Sequence, residues 1–322
     1  MNNYLITGIT GQDGIFLTKK LLQESEDNNI FGISRNPRSK SFYSKLKSLC
    51  EFKNSQISIH NLDLLNKVSV KTFLSEIKPV EIYNFSGPSS VFDSYKNPKK
   101  TFHEITEIFS NLTNSMIELE NFSKFFQASS SEMFGKNSTS NMDENTKFDP
   151  ISPYAEAKLK NHLDVIRLKK TYGWNISSGI MFNHESQFRN KDYLIMKIIN
   201  TAIKIKDNKE KKLVVGSLDY KRDWTYAEDT VDAIYKIVKE TNDTTFVIGS
   251  GKTHSIQNMI EIIFNFFDLD WNKYLDVDSN LLRKNDPLEI GSNPKKLINA
   301  TGWKQKYTFE EMVLNTIKFK YT

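Results

Sequence analysis

Asn3-Tyr4-Leu5-Ile6-Thr7-Gly8-Ile9-Thr10-Gly11-Gln12-Asp13-Gly14 is the stretch that decides the fold. Asn3–Thr7 is a short β-branched and aromatic run, and a helical pattern follows from about Gln12 to Glu24, so the glycines fall at a strand-to-helix turn. The GxxGxxG spacing places glycine where the backbone turns tightly, approaches a pyrophosphate and packs the helix on the strand. The helix N-terminus then faces the negative charge. A glycine triplet alone is a weak signal, but after a strand and before a helix it sits in the context a dinucleotide site demands. Gly8, Thr10, Gly11, Gln12, Asp13 and Gly14 are therefore expected to hold a dinucleotide; the rival is a glycine-rich turn with no ligand.

Working outward, short strand-like runs recur at Ile30–Ser34, Gln56–His60, Glu81–Phe85, Lys124–Ser129 and Asn175–Met181, separated by longer helical patterns. That alternation implies βαβ units and a doubly wound parallel sheet of the Rossmann type, an α/β fold. The clearest helix runs from Pro98 to Leu119, with Phe102, Ile105, Ile108, Phe109, Leu112, Met116 and Leu119 at helical spacing. Packing on the sheet is the plain reading of that stripe, and a subunit interface is the alternative. After Met181 the rhythm breaks into helices and short strands. The expected domains are 1–181 with returning segments at about 222–250, and a smaller C-terminal α/β substrate domain of 182–221 and 251–322. Thr245–Ile248 is a strand that returns to the first domain.

Composition sets the outer bounds. A chain of 322 residues with 38% hydrophobic and 26% charged residues is an ordinary globular protein. The net charge of +5 comes from scattered lysines such as Lys204, Lys206, Lys209, Lys211 and Lys212. They form no stripe with interleaved aromatics, so nucleic acid is not an expected partner, whereas an anionic small substrate is. Cys50 is the only cysteine, which excludes an internal disulfide and an all-cysteine metal site, and no metal is expected. MNNYLITG enters a strand directly, and the most apolar late segment, Met259–Phe267, is far short of a membrane span, so the expected location is the cytoplasm with no membrane partner.

The end of the second strand chooses the cofactor. An NAD enzyme usually carries an acid there for the ribose 2′-hydroxyl. This chain reads Gly32-Ile33-Ser34-Arg35-Asn36-Pro37-Arg38, with no acid. Arg35, with Arg38 nearby, offers a planar cation for a 2′-phosphate, so NADP is expected; the rival is surface arginines with NAD bound indifferently. Asp63, just after the third strand, is placed to hold the adenine ring.

Tyrosine with lysine four residues later puts a phenol and an ammonium on one helix face, and the ammonium is expected to lower the phenol's pKa. The pattern occurs at Tyr43–Lys47, Tyr95–Lys99, Tyr154–Lys158, Tyr193–Lys197 and Tyr235–Lys239. Only Tyr154–Lys158 follows a Ser-Pro helix start and comes soon after a serine-rich strand end, Phe126-Gln127-Ala128-Ser129-Ser130-Ser131-Glu132. The other four pairs are read as structural. Ser130, Tyr154 and Lys158 make a proton-transfer triad at the sheet's carboxyl edge.

With these motifs in hand, the chain resembles the extended short-chain dehydrogenase/reductases and, within them, the GDP-mannose 4,6-dehydratase family. The likeness rests on GITGQDG (Gly8–Gly14), FQASSSEMFGK (Phe126–Lys136), SPYAEAK (Ser152–Lys158), FNHES (Phe182–Ser186), LDYKRDW (Leu218–Trp224) and Arg283 in LLRKND. It implies a lyase that binds NADP and acts on a nucleotide-linked sugar, GDP-mannose, forming the 4-keto-6-deoxy product. Tyr154 is then the proton acceptor at the 4-hydroxyl, Ser130 holds the 4-oxygen, Glu132 is the base at carbon 5, and Lys158 tunes Tyr154 and holds the nicotinamide ribose. The same likeness gives Ser89, Asn183, Lys197, Arg222 and Arg283 to the substrate, leaves His184 holding a loop, and implies a homodimer or homotetramer. An epimerase or 4-keto reductase on a related nucleotide sugar is the alternative activity, and a silent NADP-binding regulator a third. Ser86-Gly87-Pro88-Ser89-Ser90 departs from the family's two alanines, glutamine, serine and histidine. The loop after Arg35 is shorter than in the family, which makes a dimer the firmer expectation.

Overall fold

The computed structural model describes residues 2–35, 40–282 and 286–321. Arg38 and Arg283 lie outside the described residues. The strands are β1 (Asn2–Thr7), β2 (Asn28–Ile33), β3 (Ile57–His60), β4 (Glu81–Asn84), β5 (Lys124–Ser130), β6 (Ile176–Met181), β7 (Asn183–Glu185), β8 (Leu213–Val215), β9 (Lys221–Tyr226), β10 (Thr245–Ile248), β11 (Thr253–Ser255), β12 (Leu275–Val277) and β13 (Glu289–Ile290). The helices are α1 (Gln12–Glu24), α2 (Lys40–Lys47), α3 (Lys67–Ile77), α4 (Val91–Lys96), α5 (Pro98–Glu118), α6 (Pro153–Tyr172), α7 (Leu194–Lys206), α8 (Ala227–Glu240), α9 (Ile256–Phe266), α10 (Lys295–Thr301) and α11 (Phe309–Tyr321).

Seven strands form one sheet in the order β10-β6-β5-β4-β1-β2-β3. Every neighbouring pair is parallel. The order reverses between β1 and β4, and in such sheets the crevice beyond the strands' carboxyl ends at that point is where ligands bind. Successive side chains of a strand point to opposite faces, and here both faces are covered. Tyr4 and Ile6 enter one apolar core and Leu5 the other. Phe126 and Phe125 divide in the same way. Helices α1 and α8 pack together, as do α3, α5 and α6. The stripe on α5 is mostly interior: Ile108, Phe109, Leu112 and Met116 lie in the second core, and Phe102 alone of the stripe is left largely exposed.

Met181 ends the large sheet, and only Phe182 separates it from β7, which pairs with β9 in a smaller sheet with β11 and β13. Strand β9 thus belongs with the smaller sheet, although all of it but Lys221 falls in the segment expected to return. The return begins at α8, and β10 then pairs with β6. No helix among the described residues is long and apolar enough to cross a membrane.

Candidate active site

The carboxyl ends of β1, β4, β5 and β6 open into a cleft of about 730 Å³ shared with the smaller sheet, lined by Asp13, Arg35, Ser89, Ser130, Glu132, Tyr154, Lys158, Asn183 and Arg222 among others. Helix α6 delivers two of these side chains. Ser152 caps it by accepting a hydrogen bond from the Ala155 N–H at 3.2 Å, Pro153 starts its first turn, and Gly173 ends it. Tyr154 and Lys158 are then one turn apart and both buried. Lys158 Nζ donates to the Ala128 carbonyl at 2.9 Å, which fixes it against β5. Strand β5 ends at Ser130, whose hydroxyl is near enough to the Tyr154 phenol to act on it and accepts from the Glu132 N–H at 3.3 Å. Two residues beyond the triad serine, Glu132 thus reaches the same cleft.

The electrostatics differ from the sequence expectation. Burial pushes the Tyr154 phenol well above its usual range, the Ser130 hydrogen bond only partly offsets this, and Glu132 raises it further. The ammonium of Lys158 stands 5.6 Å from the centre of the Tyr154 ring, and burial of the phenol is the dominant cause. Burial lowers Lys158 itself to about 8, with Asp13 pulling the other way.

The phosphate turn fits a dinucleotide. Gly8 has φ +72°, a left-handed conformation that side chains disfavour. A Cβ at Gly14 would sit 2.4 Å from the Ile9 carbonyl oxygen, so only glycine lets α1 close on the strand. Gly11 caps α1 without a side chain, which leaves the first N–H groups of the helix to a ligand. Thr10 and Ser34 hydroxyls meet at 3.0 Å, joining this turn to the end of β2, where Arg35 stands exposed at the cleft.

The turn is also fastened to the smaller lobe. The Gln12 side chain donates to the His184 carbonyl and accepts from the Ser186 hydroxyl, both at 2.9 Å. His184 Nδ1–H donates to the Phe182 carbonyl at 2.8 Å and Nε2–H to Asp13 Oδ2 at 3.2 Å. Each ring nitrogen faces an acceptor, so the ring holds both protons. Burial opposes this, but Asp13 overcomes it and leaves the imidazole above its usual pKa, while the Asp13 carboxyl is held below its own. Among the expected cofactor residues, the side chain of Gln12 is therefore spent on fastening, and Asp13 faces an imidazolium.

Two expected positions lie apart from the cleft. Lys197 is on α7 and its ammonium donates to the Val214 carbonyl at 2.7 Å, which turns it towards β8 and away from the cleft-lining residues. Asp63 is exposed and its carboxylate accepts from the Leu65 N–H at 3.0 Å, serving the turn after β3. Arg222 lines the cleft but is already paired with Asp286 at 3.0 Å. Arg189 and Asp286 line it too and were not singled out from the sequence; Tyr193 also lines it, although its pair with Lys197 was read there as structural. The Glu185–Arg189 spacing, continuing FNHES, was the available signal for Arg189; the two lie 3.0 Å apart as a buried ion pair.

A family model described as GDP-mannose 4,6 dehydratase matches residues 5–316. The chain belongs to that family. It is 30% identical to GDP-mannose 4,6 dehydratase 1 of Arabidopsis thaliana over 318 residues, covering 96% of this chain and 87% of that one. It is 34% identical to the Homo sapiens GDP-mannose 4,6 dehydratase over 276 residues, covering 82% and 72%. In fold it matches the Bacillus anthracis dTDP-glucose 4,6-dehydratase solved with NAD, with a TM-score of 0.84, 20% identity and coverage of 100% and 97%. It matches RMD of Pseudomonas aeruginosa, solved with NADPH, with a TM-score of 0.79, 18% identity and coverage of 99% and 98%. A nicotinamide cofactor accords with both neighbours. The dehydratase family thus carries, in this chain, a serine–tyrosine–lysine triad with a carboxylate beside it.

Proposed function

We propose that the chain converts GDP-mannose to GDP-4-keto-6-deoxymannose with NADP, by internal hydride transfer and loss of water. The observation that carries the reading is Glu132 in the same cleft as Ser130, Tyr154 and Lys158, because a ketoreductase needs no second base. The bound nicotinamide supplies a hydride acceptor at carbon 4 that later gives the hydride back at carbon 6. Tyr154 takes the proton of the 4-hydroxyl, and the Ser130 hydroxyl holds the 4-oxygen. The ketone acidifies carbon 5; Glu132 removes that proton and passes it to the departing 6-hydroxyl, and the proton held by Tyr154 is delivered to carbon 5 as the hydride reaches carbon 6, so only water is lost. Lys158 holds the nicotinamide ribose.

Arg35, exposed at the cleft mouth beside the end of β2, supports NADP over NAD through its fit to a 2′-phosphate. Of the residues given to the substrate, Ser89, Asn183 and Arg222 line the cleft and Lys197 does not, and a diphosphate at Arg222 competes with Asp286. A homodimer is supported by apolar side chains left exposed on packed neighbours: Phe92 on α4, Phe102 on α5, and Leu163 and Ile166 on α6.

The test is incubation of the protein and NADP with GDP-mannose, followed by mass spectrometry of the nucleotide sugar. The expected result is loss of one water with no net change in reduced cofactor. Stoichiometric use of NADPH without water loss would instead establish a reductase. The Glu132→Gln variant is expected to abolish water loss while sugar-nucleotide binding persists.

A further inference from the structure

Tyr193 is the first residue before α7, and its hydroxyl lies 2.9 Å from the hydroxyl of Ser89 and 3.4 Å from the Ser89 carbonyl. The two residues are 104 apart in sequence. One stands on the turn after β4 in the large sheet's crevice, the other at the edge of the smaller lobe, and both line the cleft. The bridge therefore spans the cleft from wall to wall. We propose that Tyr193 is a specificity-determining residue for the sugar, forming with Ser89 a two-hydroxyl clamp that takes one ring hydroxyl of the hexose. This rests on the nucleotide-sugar reading above.

The placement of the phenol is enforced. The guanidinium of Arg189 sits 3.6 Å from the centre of the Tyr193 ring, and Arg189 is itself held by the buried carboxylate of Glu185 at 3.0 Å. The ring is thus clamped on one face while its oxygen reaches the crevice. Tyr193 and Tyr154 line the same cleft, so a sugar that reaches the triad lies within one pocket with the clamp.

The chemistry of the pair suits an alcohol. Either oxygen can be the donor in the Tyr193–Ser89 bond. After it forms, one hydroxyl proton and at least one lone pair remain for a third partner. An alcohol that donates to one oxygen and accepts from the other completes a closed three-hydroxyl ring, with each bond polarising the next. A phosphate oxygen, which only accepts, uses half of that capacity. A bridge needed only to join the lobes would gain nothing from facing the cleft. Ser89 is exposed, so its bond to Tyr193 competes with solvent and can exchange for a ligand hydroxyl.

Tyr193→Phe is the discriminating variant, because it keeps the ring on Arg189 and removes only the hydroxyl. In the NADP-loaded enzyme, calorimetry compares GDP-mannose, GDP, and GDP-mannose deoxygenated at carbon 2 or carbon 3. The variant is expected to bind GDP-mannose about tenfold more weakly, the scale of one lost hydrogen bond, and GDP as before. At one of the two carbons, the wild-type preference for the hydroxyl over its absence disappears in Tyr193→Phe. Ser89→Ala reproduces the effect, and the double variant adds nothing. In turnover, KM rises more than kcat falls.

Unchanged affinity for GDP-mannose, equal weakening of GDP, or additive losses from the two substitutions would each overturn the clamp. Wild-type enzyme that binds GDP-mannose no more tightly than GDP would overturn it as well. Wild-type enzyme that shows the clamp's binding pattern but releases no water would overturn the proposed reaction and leave the clamp standing.

Discussion

The ion pair between Asp13 and His184 lends itself to a quantitative test. The closest approach is 3.1 Å, between groups with side-chain exposures of 19% and 12%. At an effective dielectric near 20 that separation corresponds to about 5 kcal/mol of attraction. Desolvation opposes it in both partners, yet both pKa shifts still favour the charged pair. A net coupling of about 2–3 kcal/mol is therefore expected, and breaking one side alone leaves a buried charge and costs about 3 kcal/mol or more. The measurement is equilibrium urea unfolding of wild type, Asp13→Asn, His184→Gln and the double variant. The double variant is expected to lose clearly less than the sum of the single losses.

The pH dependence has two edges. Asp13 has a depressed folded value, so its contribution is present above the usual 3.8 and fades as pH falls through the folded value. His184 has a raised folded value, so its contribution is complete below the usual 6.5 and fades as pH rises through the folded value. Coupling should therefore peak in mildly acidic solution and fall on the alkaline side. Additive single losses, or a coupling that keeps growing into alkaline solution, would refute the ion-pair assignment.

Three other outcomes are open to simple measurement. Arg35→Ala should weaken NADPH binding about 10- to 100-fold, the scale of a lost charge-assisted bond, with NADH hardly affected in fluorescence titration; equal loss for both cofactors would remove Arg35 from 2′-phosphate recognition. Gly14→Ala should destabilise by about 2 kcal/mol or more, because the new methyl meets the backbone of Ile9 rather than a side chain that can move; an unchanged thermal midpoint would contradict that contact. Asp229, buried while accepting from the Lys306 and Tyr307 N–H groups, is raised by burial from 3.8 to about 6. Its raised folded value means stability is lost as pH rises from about 4 to 6, by about 3 kcal/mol at most, and Asp229→Asn should flatten that slope in unfolding curves taken across this range.

The large sheet was legible because its strands are buried on both faces and therefore read as continuous apolar or β-branched runs, with α5 marked by an uninterrupted stripe. In the smaller lobe β7, β8, β11 and β12 are three residues each, too short for any period to register. That Ser130, Tyr154 and Lys158 share a cleft was legible from the strand end and the Ser-Pro helix start, and Glu132 was singled out through the family resemblance. Tyr193 was not, and the reason is specific. The spacing Tyr193–Lys197 suggests two side chains on one helix face, but Tyr193 caps α7 with extended backbone, φ −82° and ψ 153°. Its side chain leaves the helix direction and enters the cleft, while Lys197, inside the helix, turns to Val214. The direction of the phenol's pKa was hidden as well: sequence gives the lysine's distance along a helix, not the burial of the phenol that dominates.

The fastening of Gln12 and Asp13 to residues 184 and 186 spans more than half of the chain, and that bears on synthesis. A ribosome makes the phosphate turn and α1 first, and domains complete themselves in that N-to-C order. Until residues 184–189 have been made, Asp13 lacks the His184 ring and the Arg189 charge, and Gln12 lacks both of its partners. The early strands of the large sheet can pair before then, whereas the side chains of the phosphate turn find these partners only afterwards.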